Sequence, residues 1–200
     1  AYSILASEYE LPSVEVHLHK IIPYGAGLGG GSADAAFMLV GLNRLFSLGL
    51  NEEQLMGYAA RLGSDCPFFV RNHPVFAFGK GELMEAIDLS LKDYVMVLVK
   101  PDRGVSTPEA YRGITPRAAS FDLRELGKLP VCEWNGVVVN DFETSVIPKV
   151  PEIQEIKDTL NALGAVYVSM TGSGSAVYGL FDRSVEVGET FPGYFVWKSK

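Results

Sequence analysis

Five glycines fall within seven positions, Gly25, Gly27, Gly29, Gly30 and Gly31, and the periodicity of the chain changes across them. Upstream, Val14, Val16 and Leu18 alternate with Glu15, His17 and His19, which predicts a strand running to Lys20 and ended by Pro23. Downstream, residues 33–48 (ADAAFMLVGLNRLFSL) are rich in helix formers and apolar enough for a largely buried helix. A strand, a glycine turn and a helix in that order suit a polyphosphate. Glycine lets backbone N–H groups approach a ligand without a Cβ in the way, and a helix start adds free donors and a partial positive charge. Ser32 offers a hydroxyl to a phosphate or to Mg²⁺.

Other glycine loops fit less well. A Walker A loop ends in Gly-Lys-Ser/Thr, and no lysine stands here. A dinucleotide fingerprint wants an acidic residue on a second strand about 20 residues on, and that position falls inside the expected helix. A protein-kinase glycine loop joins two strands, whereas this one opens a helix.

Farther along, Asn51 begins a second helix: Gln54 completes a capping box, and Glu52 and Glu53 favour the helix dipole. That helix is expected to end near Gly63. Phe68 to Val70 and Val75 to Phe78 read as two short strands about an Asn-His-Pro turn. Residues 85–93 form a plausible joint, giving an N-terminal domain of 1–92 and a C-terminal domain of 93–200. In the second, the apolar run Tyr94 to Val99 reads as a strand buried on both faces. Helices are expected near 138–147 and 151–163, and strands at 166–170, 176–181 and 194–197. Strand, helix, helix, strand, strand is the pattern of a two-layer α+β sandwich. Trp134 and Trp197 are expected to be packing residues.

Charge and cysteines exclude several roles. The net charge of −7, with signs interspersed, disfavours nucleic acid as the main partner. No apolar run reaches the roughly 18 residues of a membrane span. The N-terminus lacks the basic and apolar regions of a signal peptide, and a cytoplasmic location is expected. The N-terminus also lacks an initiator Met and reads as the end of a helix already in progress, so further sequence is expected upstream. Cys66 and Cys132 make no disulfide framework or zinc cluster and are expected to be reduced and buried. His17 and His19 share a strand face but have no third metal ligand near in sequence, so a solvated face is the better reading.

Two further constellations bear on chemistry. Residues 63–69 read GSDCPFF: an Asp between a helix and an apolar segment can accept a proton from an attacking alcohol, although an Asp near Gly and Pro is commonly a turn or a cap. Residues 169–177 read SMTGSGSAV, a second glycine turn between two strands. A flexible hairpin of small residues explains such a cluster equally well.

Taken in order, these segments resemble the GHMP kinases over nearly the whole chain. Pro23-x-x-x-Gly27-Leu28-Gly29 resembles the family's second motif, and the run of three glycines before Ser32 is similar to its diphosphocytidyl-methylerythritol kinase branch. The resemblance implies an α+β GHMP kinase fold: a partial N-terminal domain like ribosomal protein S5 and a ferredoxin-like C-terminal sandwich. It fades over 121–135, and 182–192 is too short for the helix the family places before its last strand. It implies ATP and Mg²⁺ as cofactors and transfer of the γ-phosphate to the 2-hydroxyl of diphosphocytidyl-methylerythritol, in non-mevalonate isoprenoid synthesis. Asp65 inherits the catalytic role, working beside a lysine of a first motif expected upstream of Ala1. Lys20, Pro23, Gly25 and Gly27 to Ser32 inherit ATP binding, with Ser32 a candidate metal ligand. Gly172 and Gly174 match the third motif near the substrate. Thr107 and Tyr111 match residues at the cytidyl end, where an aromatic face stacks on a base. A monomer or homodimer with a small-molecule substrate, binding neither nucleic acid nor membrane, is expected. Two alternatives stay open: a GHMP kinase for a sugar or mevalonate-type alcohol, and a nucleotide-binding fragment that is catalytically incomplete.

Overall fold

The computed structural model describes residues 1–115 and 119–199. The chain divides into two compact units: Ala1–Tyr24 with Gly29–Asp88, and Gly25–Leu28 with Leu89–Lys200.

The first unit holds α1 (Tyr2–Ala6), α2 (Gly30–Leu45), α3 (Glu52–Ala60), α4 (Cys66–Arg71) and an antiparallel hairpin of β1 (Val75–Phe78) and β2 (Leu83–Ala86). Its core is Leu5, Leu39, Leu42, Leu50, Leu55, Ala59 and Cys66. Helix α2 begins inside the glycine cluster, three residues before the sequence suggests. It buries one stripe, Ala36, Leu39 and Leu42, while Phe37 and Leu45 are exposed within this unit. Helix α3 starts as the sequence predicts. Asn51 Oδ1 accepts from the Gln54 N–H and Gln54 Oε1 from the Asn51 N–H, each at 2.9 Å.

Three expectations fail in this unit. Residues 14–20 alternate like a strand but form no ladder, because alternation supplies faces and not a partner. Among the described residues no strand pairs with them, and Val16 and Leu18 are exposed. Phe68 to Val70 lie in α4 and not in a strand. Pro67 presets the first helical turn, and Asn72, left-handed at φ 56°, closes the helix. The partner of β1 is β2, reached through Gly79 to Glu82, and not the segment 68–70.

The second unit holds β3 (Val95–Lys100), α5 (Thr107–Arg112), two 3₁₀ turns (Leu123–Lys128 and Val131–Glu133), α6 (Glu143–Val146), α7 (Glu152–Ala162), β4 (Tyr167–Met170), β5 (Val177–Phe181) and β6 (Phe195–Lys198). All ladders of its sheet are antiparallel, in the order β4-β5-β3-β6. That is the ferredoxin-like order, with α7 as the crossover from β3 to β4 and no helix among residues 182–194. One face carries Val97, Val99, Val168 and Met170 against Ile153, Ile156 and Leu160 of α7, each worth about 1.5–3 kcal/mol when fully buried. The other face carries Tyr167 and Leu180 under Leu126, Val131 and Trp134. Both faces of β3 are therefore covered, as its unbroken apolar run predicts.

The helix expected over 138–147 shrinks to α6. Asn140 Oδ1 takes the Phe142 N–H at 3.0 Å, so its side chain competes with the helical ladder. Trp134 is buried and its indole N–H donates to the Leu129 carbonyl at 3.0 Å, whereas Trp197 is 49% exposed in β6, an edge strand, and Cys132 is exposed.

Candidate active site

In the first unit, the opening turn of α2 is crowded on one side and open on another. A Cβ built on Gly29 would lie 2.9 Å from the Phe69 ring, and one on Gly30 would lie 3.0 Å from Lys20 Nζ. A Cβ on Gly31 would meet nothing within 4 Å. The Ser32 hydroxyl makes no hydrogen bond among the described residues. Lys20 Nζ donates to Asp34 Oδ2 at 2.6 Å, with its side chain only 16% exposed, and lies 5.6 Å from the centroid of the Tyr24 ring. The ammonium is thus fixed beside the helix start by a carboxylate one turn along α2. Asp34 was not singled out in the sequence. Its only signal is its place in the Ser-Ala-Asp-Ala-Ala run.

Asp65 stands at the start of α4, one helical turn before Phe69, the ring that abuts Gly29. Its carboxylate is exposed, caps no N–H and has no ionic or hydrogen-bond partner among the described residues. Asp65 thus sits in the turn at the N-cap position of α4 without a side-chain capping bond, and a free oxygen is left to accept a proton. Pro23 is half-buried just before the loop.

In the second unit, the remaining loop residues run against the other glycine turn, backbone on backbone. Ser175 N–H donates to the Gly25 carbonyl at 3.3 Å and Ala176 N–H to the Ala26 carbonyl at 3.1 Å. Thr171 Oγ1 donates to the Gly27 carbonyl at 2.9 Å. A Cβ on Gly27 would collide with the Thr171 carbonyl, and one on Gly172 would lie 2.7 Å from the Gly27 carbonyl. Leu28 packs beside Ala26, Leu98 and Ala176. Gly27 and Gly172 thus have a packing reason to be glycine. Gly174 is buried against Met170 and Val146, so its N–H is not a free donor: it already bonds the Thr171 carbonyl at 3.0 Å.

Thr107 opens α5, and its Oγ1 lies 3.2 Å from Ser173 Oγ. Tyr111 sits near the end of that six-residue helix, with Pro108 in the first turn. Its ring is 62% exposed and meets Phe142 edge-on at 4.8 Å, so it does not pack between layers. Beside it, the hydrogen bond from Lys149 holds the Glu109 carboxyl below its ordinary range. His17 is exposed and pairs with Glu15 at 2.7 Å. Among the described residues no group of three or more His, Cys, Asp or Glu side chains could hold a metal ion.

The family of GHMP kinases N terminal domains matches residues 1–73, and that of GHMP kinases C terminal domains matches residues 118–190. A protein of Parabacteroides distasonis named 4-diphosphocytidyl-2-C-methyl-D-erythritol kinase is 52% identical over all of this chain and 74% of its own length. The protein of that name from Bacteroides thetaiotaomicron is 53% identical over 95% of this chain and 69% of its own. The chain belongs to the 4-diphosphocytidyl-2-C-methyl-D-erythritol kinase family of GHMP kinases. A solved 4-(cytidine 5'-diphospho)-2C-methyl-D-erythritol kinase superposes with a TM-score of 0.68 at 34% identity, covering 80% of this chain. The chain spans 59% of that kinase's length. Membership in this kinase family carries the use of ATP. No helix among the described residues is long and apolar enough to cross a membrane.

Proposed function

We propose that the protein transfers the γ-phosphate of ATP to the 2-hydroxyl of 4-diphosphocytidyl-2-C-methyl-D-erythritol, a step of non-mevalonate isoprenoid synthesis in the cytoplasm. Family membership supports the reaction class and the substrate. The observation that carries the site is the free carboxylate of Asp65, one turn from the ring that packs on the glycine-rich start of α2. Phosphoryl transfer asks little covalent chemistry of a protein; positioning and charge stabilisation dominate.

On this reading the first turn of α2, from Gly29 to Ser32, receives the triphosphate on unpaired N–H groups and offsets the charge that develops on the transferred group. Gly31 fits this role because no protein atom fills the space beside its Cα. Lys20, steadied by Asp34, adds a cation. Asp65 orients the alcohol and takes its proton. Thr107 and Tyr111 hold the cytidyl end, Tyr111 through its exposed ring face. Gly25, Gly27, Gly172 and Gly174 shape the backbone about Thr171, and Pro23 and Leu28 anchor the loop that carries the first two. Mg²⁺ keeps most of its waters and needs only one or two protein oxygens when it arrives with ATP, so the unengaged Ser32 hydroxyl fits as a ligand without a preformed cage. The ion would neutralise phosphate charge.

The test is ADP release with this alcohol against alcohols that lack the cytidyl group, using the protein as its cell makes it. Turnover with the cytidyl compound alone is expected, and Asp65→Asn should lower kcat by about 10²-fold or more with KM little changed. Turnover with a sugar or mevalonate-type alcohol instead, or an active Asp65→Asn protein, would overturn the assignment.

A further inference from the structure

The Thr171 to Gly174 turn is held by side chains that belong to none of the glycine motifs. Asn140 Nδ2 donates to the Met170 and Gly172 carbonyls, both at 2.8 Å. Its Oδ1 takes the Phe142 N–H, so both ends of the amide are engaged and its orientation is fixed. Glu143 Oε1 accepts the Met170 N–H at 2.8 Å. Its other oxygen pairs with Lys157 of α7, and both side chains are mostly buried. Met170 ends β4, an edge strand, whose outward N–H and carbonyl water would satisfy equally well. Replacing water with a fixed amide and a buried ion pair adds little net stability but leaves the turn one geometry.

The same short segment reaches α5. Phe142 meets the Tyr111 ring, and Ser145 Oγ donates to the Ala110 carbonyl at 3.1 Å. Thr107 and Ser173 join the two structures directly. Residues 140–145 therefore fix the glycine turn and the helix carrying Thr107 and Tyr111 to a single support.

We propose that Asn140 and Glu143 are positioning residues for binding of the alcohol substrate, acting through the Thr171–Gly174 turn and through Tyr111. The proposal rests on the function proposed above. Asn140→Ala removes both donors. Glu143→Gln combined with Lys157→Met keeps an acceptor for the Met170 N–H without leaving a buried ammonium against an amide donor, and serves as the conservative variant.

The experiment measures kcat and KM for the cytidyl alcohol together with amide hydrogen exchange across residues 170–176, in the protein as its cell makes it. Asn140→Ala should raise KM for the alcohol about tenfold or more, with kcat nearly unchanged and exchange faster at Gly172 to Ser175. Glu143→Gln with Lys157→Met should recover most of the affinity that Glu143→Ala loses. A lower melting temperature in Asn140→Ala with KM within about twofold of wild type would mark a purely structural role and overturn the proposal. Unchanged exchange in the turn would overturn it too. A wild-type protein that leaves the alcohol unphosphorylated sinks the assigned function, and exchange alone then upholds or overturns Asn140's hold on the turn.

Discussion

Substituting alanine at Gly27 and, separately, at Gly25 separates two reasons for a glycine that the sequence cannot distinguish. Both have positive φ, +71° and +64°, so an L side chain pays a similar left-handed penalty at either position, roughly 1–2 kcal/mol. Their surroundings differ. A Cβ on Gly25 meets nothing within 4 Å, whereas one on Gly27 collides with the Thr171 carbonyl and reaches 3.0 Å from Gly174 N. Relief requires the two backbones to part, and parting endangers the Thr171 Oγ1 bond to Gly27 and the Ala176 N–H bond to Ala26. Losing one or two such bonds costs about 1 kcal/mol each, and residual overpacking adds about 1–3 kcal/mol. Gly27→Ala should then cost the second unit about 3–7 kcal/mol and Gly25→Ala about 1–2 kcal/mol. Urea unfolding without nucleotide, followed by fluorescence of the buried Trp134, measures both. Equal midpoints for the two variants would refute the interlock of the glycine turns and leave backbone conformation as the sole constraint.

Gly31→Ala should stabilise α2 by up to about 1 kcal/mol, since Ala is the better helix former, yet weaken ATP binding about tenfold or more by filling the space a phosphate needs; urea unfolding without nucleotide checks the first half and calorimetric titration with ATP the second. Asn51→Ala removes one half of the α3 capping box and should cost about 1 kcal/mol, read as a lower urea midpoint of the first unit. Burial raises the Tyr178 phenol above its ordinary value of 10.0. A group whose folded pKa is raised contributes stability that is complete below the unfolded pKa and is lost as pH climbs above it. Melting temperature should therefore fall above about pH 10, and less steeply in Tyr178→Phe.

Much of this was legible in the sequence because local chemistry determined it. Asn51 and Gln54 announced the start of α3, and the unbroken apolar run of β3 announced a strand covered on both faces. What could not be read depended on partners distant in the chain. Residues 14–20 have a strand's alternation, but a ladder is a property of two segments. Phe68 to Val70 have strand propensity, but Pro67 and the left-handed Asn72 bracket them as a helical turn. Among the candidate site residues, Asp65, the start of α2 and Tyr111 were visible through motif and spacing. Asn140, Glu143 and Lys157 were not, because Asn140 and Glu143 meet Met170 and Gly172 through contacts as far as 32 residues apart in sequence, Lys157 acts only through Glu143, and none belongs to a recurring pattern.

The assignment of Gly25 to Leu28 to the second unit bears on how this chain can be divided by recombination. A cut at the linker after Asp88 gives two continuous pieces, and neither matches a unit that packs as observed: the first keeps residues 25–28 and the second lacks them. The piece beginning at Leu89 loses the four residues whose Ala26 and Leu28 cover Leu98 and Ala176, and whose carbonyls take the N–H groups of Ser175 and Ala176. Gene duplication or fusion acting on that half alone would carry an uncovered apolar patch and two bare backbone donors beside it. An exchange between homologues that preserves this packing therefore moves residues 25–28 together with the sequence after 88.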